Sequence, residues 1–432
     1  MRFGRKHAAL LLGCAAFSHV PSYAQEGTEE VAETAFDAAA GWIEFEEVLR
    51  AKYAYIERGD MDVEAQLARS RALASKARDR KEQRRILHQT ALTFSDPHLI
   101  VGPFEDGDFN IAMTSTDLAV SMAKGRARIM DVRRGSSAFA AGLRPGDEIL
   151  AIDGIAAEKA ALMPYGEVLD RPTPLQLSYG ATLAANGRRA SNRTLTLRRA
   201  ATGETRDVVL ENPREFARSV GDRPLVDLEF LGDRGEVAVL RPNNSLGNND
   251  TIGAFDEALA RALERGASAV ILDMRETPSG GNTEVARSIM GHFVVEPKPY
   301  QMHRIPAFER EFTVPRQFVE YVMPRAPQFL GPVFVLHGKW TGSMGEGIVI
   351  GMDAASDAVT IGSDMGDLLG GLWNYDLEVS NARLDLGGEA LFHVDGTPRE
   401  DYVAQHAIMP ASTAGDGTDP AIGKALQLLG ER

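Results

Sequence analysis

Two loops of this chain combine residue types and spacings that could support nucleophilic chemistry. In "HGKWTGSMGE", Ser343 follows a glycine and an apolar run and opens a helical pattern. A strand-to-helix turn of this kind exposes a serine hydroxyl and points main-chain N–H groups at the same space. The competing interpretation is a helix N-cap, with Glu346 completing a Ser-x-x-Glu capping box. Local sequence leaves both roles open.

The second loop, "RETPSGGNTEV", has the same setting. Gly280 and Gly281 follow an apolar run and precede a helical pattern. Their bare N–H groups, together with the amide of Met344, predict an oxyanion hole for a nucleophilic serine. The alternative is an ordinary strand-to-helix turn.

No other chemistry is indicated by the spacing of reactive residues. The histidines are scattered, and the chain has a single cysteine. A zinc site would require closely spaced His or Cys pairs, and a phosphate loop would require a Lys-Ser/Thr pair after its glycines. The sequence therefore predicts no metal and no cofactor.

The two loops lie in a region, 216–432, where apolar strands alternate with amphipathic helices. "EVAVLRP", "ASAVILDMR" and "GPVFVLHG" read as buried strands, and a helical pattern follows each one. This alternation is typical of a crossover α/β layer, in which functional sites lie at the carboxyl ends of the strands. The sequence thus predicts an α/β core with both loops at one edge of its sheet.

Region 106–215 has strand-like alternation and contains "GSSAFAAGLRPGDEILAIDG". This stretch resembles a bacterial PDZ domain, and each of its glycines matches a turn or a cap. A PDZ domain binds an extended peptide as an added strand. The resemblance implies a peptide groove along the strand after Thr116, near Leu118 and Val120. Alternatively, the domain only spaces or docks its neighbours.

The N-terminal part of the chain reads as an export signal followed by helices. Residues 1–24 combine a basic start, a short apolar run and small residues before a cleavage point, which predicts a signal peptide. "LLGC", ending at Cys14, offers a lipoprotein anchor as the second reading. Residues 25–105 then show helical spacing with few glycines or prolines. The protein is expected to be exported, to the periplasm or the extracellular space.

Composition excludes two classes of partner. The chain has 44% hydrophobic and 25% charged residues, as globular proteins do. Its formal charge of −14 argues against nucleic acid, because phosphate binding requires a basic face. No second apolar stretch is long enough to span a membrane.

The succession of helical segment, PDZ-like domain, "ILDMRETPSGGNTEVA" and "VFVLHGKWTGSMGEGI" resembles the tail-specific, or C-terminal processing, serine proteases. Asp273, Arg275 and the Gly-Gly pair match one motif of that family, and the serine three residues before a glutamate matches another. The resemblance implies a multidomain α/β fold: an N-terminal helical segment, a β-rich PDZ domain and a crossover α/β core of the ClpP/crotonase type.

The resemblance also implies a base. One branch of the family pairs its serine with a lysine after the next strand, where this chain reads "VTIGSDMGDLLGGLWNY" without one. The tricorn-like branch uses a histidine, and "FSDPHLIVGP" places His98 at that position. "DGTPREDY" offers Glu400 as the carboxylate that orients the imidazole. The alternatives are a structural histidine and Lys339 as the base, although Lys339 is expected to be solvated.

These features predict an exported serine endopeptidase that cleaves extended or C-terminal segments of proteins and peptides through an acyl-enzyme. Ser343 is the expected nucleophile and His98 the expected base, and the PDZ-like domain is expected to capture the substrate. The alternative function is a peptide- or ligand-binding protein on the same scaffold, with weakened or lost catalysis. The missing lysine and a C-terminal region without the family's glycines favour this alternative.

Overall fold

A computed structural model of the chain describes residues 36–59, 61–409 and 418–431. The predicted signal peptide and Cys14 lie outside these residues. In the described ranges the helices are α1 (Ala38–Lys52), α2 (Val63–Ala74), α3 (Arg80–Leu92), α4 (Ser137–Ala140), α5 (Ala157–Ala160), α6 (Pro174–Asn186), α7 (Pro213–Gly221), α8 (Thr251–Glu264), α9 (Thr283–Gly291), α10 (Pro306–Phe312), α11 (Met344–Ala355) and α12 (Pro420–Gly430).

Three sheets accompany these helices. Their strands are β1 (Ile100–Gly102), β2 (Leu118–Ala123), β3 (Arg126–Val132), β4 (Glu148–Ile152), β5 (Ile155–Ala156), β6 (Arg193–Arg198), β7 (Thr205–Leu210), β8 (Val226–Leu231), β9 (Val237–Pro242), β10 (Ala269–Asp273), β11 (Lys298–Arg304), β12 (Gln317–Val322), β13 (Val333–His337), β14 (Val359–Gly362), β15 (Gly371–Leu377), β16 (Ala382–Phe392) and β17 (His406–Ala407).

The central sheet has the strand order β17-β14-β13-β10-β9-β8, and only β8 pairs antiparallel with its neighbour. Strands β10 and β13 are buried along their whole length. Their alternate residues enter two different cores: one with α8, α9 and α11, the other with α12. A strand covered on both faces needs a continuous apolar run. These two strands can therefore be predicted from the sequence.

A second sheet pairs a strand near residue 100 with strands from the later part of the chain. It has the order β1-β16-β11-β12, with β15 also paired to β16. Strand β1 pairs with β16 in the register Ile100↔Asp385. Helices α1, α2 and α3 form as predicted, and their buried residues, such as Trp42 and Leu87, share one core with Leu384 and Leu386. The N-terminal helices are therefore packed on strands from the far end of the chain.

The third sheet, β2-β3-β4-β6-β7, builds the β-rich domain predicted for 106–215. Its core is formed by buried aliphatic residues of the strands and by alanines of α5 and α6. Helix α6 lies against β2, the edge strand of this sheet. Among the described residues, no helix is long and apolar enough to cross a membrane.

Candidate active site

Ser343 occupies a strained turn between the loop that follows β13 and helix α11. Its backbone has φ +52° and ψ −116°, and its side chain makes no capping hydrogen bond to the helix. A positive φ costs a non-glycine residue roughly 1–2 kcal/mol, so the surrounding structure must hold it. The capping box is incomplete, because the Ser343 hydroxyl accepts no hydrogen bond from the helix, although the Glu346 carboxyl interacts with the Ser343 amide and accepts from the amide of Asp367 at 2.8 Å. The serine hydroxyl is therefore not used to cap the helix.

The loop after β10 is tied to the loop that carries Ser343. Thr277 donates its amide to the carbonyl of Trp340 at 3.0 Å, and its carbonyl accepts from the amide of Gly342 at 3.1 Å. These bonds form a parallel bridge that extends the β10–β13 pairing beyond the strand ends. The bridge brings Gly280 against Ser343, as the sequence predicted for neighbouring strand ends.

Of the predicted oxyanion-hole residues, Gly280 and Met344 lie beside the serine, and Gly281 is next to Gly280 and packs against Leu246. The amides of Gly281 and Met344 donate to no other described residue, whereas the amide of Gly280 donates to Thr277 at 3.2 Å. Gly280 serves in another way: a Cβ on it would lie 2.7 Å from the Met344 nitrogen. Its missing side chain thus leaves space next to a free amide at the positive end of α11.

His98 is buried, and its hydrogen bonds fix the ring. Its Nδ1 lies 3.0 Å from the carbonyl oxygen of Leu369. Because a carbonyl only accepts, Nδ1 carries the proton and Nε2 is left as the basic nitrogen. The His98 amide donates to Asp96 at 2.8 Å, and the same carboxyl oxygen accepts from the Leu369 amide at 3.2 Å. Asp96 thereby fixes both the histidine and its partner.

The ionisation of this pair is set by burial. Burial, with a smaller contribution from the nearby Arg399 guanidinium, lowers the pKa of His98 to about 4, although the hydrogen bond with Leu369 acts in the opposite direction. A carboxylate partner, as predicted for Glu400, would raise the pKa of His98, but a neutral carbonyl holds Nδ1 instead. Burial also raises the pKa of Asp96 to about 7, although hydrogen bonds from His98, Tyr53 and Leu369 favour its ionised form.

The segment Asp367–Gly370 connects the histidine with the serine turn. The amide of Asp367 donates to Glu346, and the side chain of Leu368 packs against Gly342. The carbonyl of Leu369 holds the ring of His98. His98 and Ser343 therefore flank one short segment. The two side chains make no hydrogen bond to each other in this structure.

Glu400 and its neighbour Arg399 lie near the candidate site in different surroundings. The carboxylate of Glu400 lies 4.0 Å from Arg58 and forms no hydrogen bond with His98. Burial raises the pKa of Glu400. Arg399, which the sequence analysis missed, is buried, bonds the carbonyl of Leu368 and lies 3.1 Å from a carboxyl oxygen of Glu346. The orienting role of Glu400 remains a prediction.

Glu346 belongs to the buried support of the site. Burial raises the pKa of Glu346 to about 8, although Arg399 favours its ionised form.

Lys339, the alternative base, donates to the carbonyl of Met365 at 3.1 Å and lies 3.8 Å from Asp364. Lys339 is therefore turned toward the loop after β14, with its ammonium already partnered.

The Asp-x-Arg pair, Asp273 and Arg275, forms a buried ion-pair clamp rather than a reactive group. Asp273 accepts from Arg275 at 2.8 Å and from Arg241 at 3.0 Å, and Arg275 also donates to Asp419 at 2.8 Å. Burial alone would raise the pKa of Asp273, yet the two guanidinium groups hold it well below its usual range. This clamp joins the end of β10 to the start of α12.

The two residues predicted to line the peptide groove are both buried. Leu118 is fully covered and Val120 is 5% exposed. Their main-chain groups on the outer edge of β2 are bonded to side chains of α6. In this structure, no free strand edge is available at these residues.

Comparisons with known proteins agree with this fold. No family model and no curated relative matches the sequence. Among solved structures, mature CPAF in complex with lactacystin superposes with a TM-score of 0.60 at 14% identity, covering 91% of this chain and 97% of that one. The photosystem II D1 C-terminal processing protease gives a TM-score of 0.55 at 14% identity, covering 90% and 98%. At this identity the likeness concerns the fold, and it confirms the predicted multidomain α/β architecture with a PDZ-like domain.

Proposed function

We propose that this chain is a serine endopeptidase that cleaves protein and peptide substrates, with Ser343 as nucleophile and His98 as general base. The observation that carries the proposal is the turn at Ser343. A strained, uncapped serine opens a helix beside two amides, those of Gly281 and Met344, that donate to no other described residue. Structures of this kind store strain at reactive positions. The fold shared with CPAF and the D1 processing protease supports the same assignment.

The geometry suggests the following sequence of steps. Nε2 of His98 takes the proton of the Ser343 hydroxyl as its oxygen attacks the substrate carbonyl carbon. The carbonyl oxygen becomes an oxyanion and accepts hydrogen bonds from the amides of Gly281 and Met344. The imidazolium then protonates the leaving amine as the C–N bond breaks. Water attacks the acyl-enzyme by the reverse roles and releases the second product.

Export is also part of the proposal. It rests on the sequence alone, because the predicted signal peptide lies outside the described residues. Capture of the substrate by strand addition at Leu118 and Val120 is not included, since the main-chain edge of both residues is already bonded. The substrate class is thus proposed as extended protein or peptide segments, without a fixed requirement for a free C-terminus.

A second candidate function is ligand binding on the same scaffold without turnover. Two observations favour it: His98 and Ser343 share no hydrogen bond, and burial lowers the pKa of His98 to about 4. A base with such a low pKa is neutral at pH 7 but accepts a proton less readily. The two functions differ in whether Ser343 reacts.

A fluorophosphonate probe, which labels activated serines, separates these functions. We expect labelling of the native protein, none of Ser343→Ala, and loss in His98→Ala as complete as in Ser343→Ala, because members of one catalytic unit are not additive. Lys339→Ala is the matched control and should label normally. Hydrolysis of labelled casein and thermal unfolding would be measured on each variant.

Each other outcome has a definite meaning. Normal labelling of His98→Ala that disappears when Lys339→Ala is added would move the base to Lys339. A folded native protein that is neither labelled nor active on casein would support the binding-protein alternative.

A further inference from the structure

The outer edge of β2 is the place where a PDZ-like domain would add a peptide strand. β2 is an edge strand, paired only with β3 in its sheet. In an antiparallel pair, every second residue points its N–H and C=O groups away from the partner strand. Here those residues are Leu118, Val120 and Met122. A bound peptide would have to use these main-chain groups.

Helix α6 already bonds all three residues. Ser178, Thr182 and Asn186 are spaced four apart, so they share one helix face. We call these three residues the sealing stripe. Their hydrogen bonds to the N–H and C=O groups are Asn186 with Leu118 (3.1 and 2.8 Å), Thr182 with Val120 (3.0 Å for both) and Ser178 with Met122 (3.0 and 3.5 Å).

A peptide could enter this edge only by displacing the sealing stripe. It would replace existing hydrogen bonds at five of the six main-chain groups, the exception being the Met122 carbonyl, because the Ser178 hydroxyl also donates to the carbonyl of Pro174 at 3.1 Å. It would also leave polar side chains without partners where they are buried, since Asn186 is fully covered and Thr182 is 5% exposed. Unsatisfied buried polar groups oppose such an exchange. Strand addition at β2 is therefore disfavoured.

A second stripe of α6 faces the candidate active site. Leu175 and Tyr179, again four residues apart, line a cavity of about 250 Å³ between the β-rich domain and the site loops. Val120 and Met130 add apolar side chains to the same wall, and Lys339 and Asp367 lie opposite. The wall on the domain side thus combines these apolar side chains with polar ones, namely Ser121, Asp131, Ser178 and Thr182. Charged residues lie on the side of the site loops.

The cavity is lined by neighbours of the two proposed catalytic residues, and not by His98 or Ser343 themselves. Pro97, directly before His98, lines it. Gly366 lines it too, and its amide donates to the carbonyl of Thr341, two residues before Ser343, at 2.8 Å. A substrate with its scissile bond at the serine would place a nearby side chain here.

We propose that α6 seals β2 against strand addition and that Leu175 and Tyr179 bind an apolar side chain of the substrate close to the scissile bond. The inference rests on the proposed peptidase function for its second half. The β-rich domain then acts as a wall of the substrate site and determines specificity. The first half can be tested without any substrate.

Amide hydrogen exchange tests the seal. In the free protein, the amides of Leu118, Val120 and Met122 should exchange as slowly as those of β3, which are paired inside the sheet. Thr182→Val removes the hydroxyl at nearly constant volume and should accelerate exchange at Val120 selectively. Fast exchange of the three amides in the unmodified protein would overturn the seal.

Substrate selectivity tests the side-chain site. Leu175 is 50% exposed, so Leu175→Lys should fold normally. A fluorogenic peptide library would first locate the position at which the native enzyme prefers an apolar residue. We expect Leu175→Lys to reduce the preference for leucine over serine at that position by about tenfold. Val209→Lys, at a 72% exposed valine on β7 outside the cavity lining, is the matched control and should retain the preference.

Fluorophosphonate labelling distinguishes the two hypotheses. Labelling of Leu175→Lys by the small probe would show that its serine is still reactive, so that a change in selectivity is not a loss of the catalytic group. Native labelling with unchanged selectivity in Leu175→Lys, or no apolar preference at any position, would refute the side-chain site. Absence of labelling in the native protein would instead refute the peptidase function.

Discussion

Replacing Gly280 with alanine should disable the active site while the fold survives. An added Cβ would lie 2.7 Å from the Met344 nitrogen, and closer to Cβ of Ser343, whereas ordinary van der Waals contact begins at 3.4 Å. The new methyl group is therefore about 0.7 Å too close to the amide, a misfit that a close-packed site cannot ignore. It would occupy the space in which that amide meets the oxyanion.

The expected losses follow from these contacts. Removing one oxyanion donor typically lowers kcat by about 10²–10³, so we expect peptide hydrolysis by Gly280→Ala to fall by that factor. The backbone at Gly280 has φ +61°, which adds about 1–2 kcal/mol of strain for an alanine. Gly154 is a suitable control, because it has φ +77° and no atom within 4 Å of an added Cβ. Gly154→Ala should thus show the strain without the catalytic loss.

The assay is the rate of fluorophosphonate labelling of Ser343, measured beside thermal unfolding for both variants. Gly280→Ala should unfold at a lower temperature than Gly154→Ala, because it adds the misfit to the strain, but both should fold and only Gly280→Ala should label slowly. Equal labelling rates in two folded variants would show that the Met344 amide, as placed beside Gly280, does not stabilise the oxyanion.

Two further predictions concern ionisation. Burial lowers the pKa of His98 to about 4, so the imidazole is neutral above that pH. Labelling of Ser343 should therefore rise with pH through about 4 and stay level between pH 6 and 7. A midpoint of the labelling rate near pH 6.5 would contradict this reasoning. Arg275→Leu removes the main partner of buried Asp273 and should lower the free energy of unfolding in urea by about 3 kcal/mol. Asp419→Asn perturbs only the outer end of the clamp, and a loss as large as that of Arg275→Leu would argue against a buried clamp.

The parts of the fold that depend on local patterns could be predicted from the sequence. β10 and β13 are covered on both faces, so their apolar runs are continuous and mark the strand ends at which the two loops lie. The turn at Ser343 follows directly from the β13 boundary. The succession of helical segment, β-rich domain and α/β core was likewise legible, because each part has its own periodicity.

The parts that depend on long-range contacts could not be predicted. The acceptor for His98 is the carbonyl of Leu369, and a carbonyl occurs at every residue, so nothing in the sequence distinguishes it. Arg399 and Glu400 are adjacent in sequence. Only tertiary packing places Arg399 against Glu346 and Glu400 near Arg58.

The sealing stripe is an intermediate case. Ser178, Thr182 and Asn186 stand out as polar residues at four-residue spacing in "PLQLSYGATLAAN", an otherwise largely apolar helix. Their spacing predicts one shared face. What they meet depends on the position of β2, which the spacing does not contain.

The bond between His98 and Leu369 joins residues 271 positions apart, and the pairing of β1 with β16 closes a loop of similar length. A ribosome releases the histidine early and the leucine late. A growing chain therefore has no positioned base until most of it has emerged, and a product truncated between Ser343 and Leu369 would contain the serine without an oriented imidazole. Contacts of such sequence separation also form slowly. On the proposed function, this order of assembly keeps the growing chain inert until Leu369 has been made and placed, without requiring a separate inhibitor.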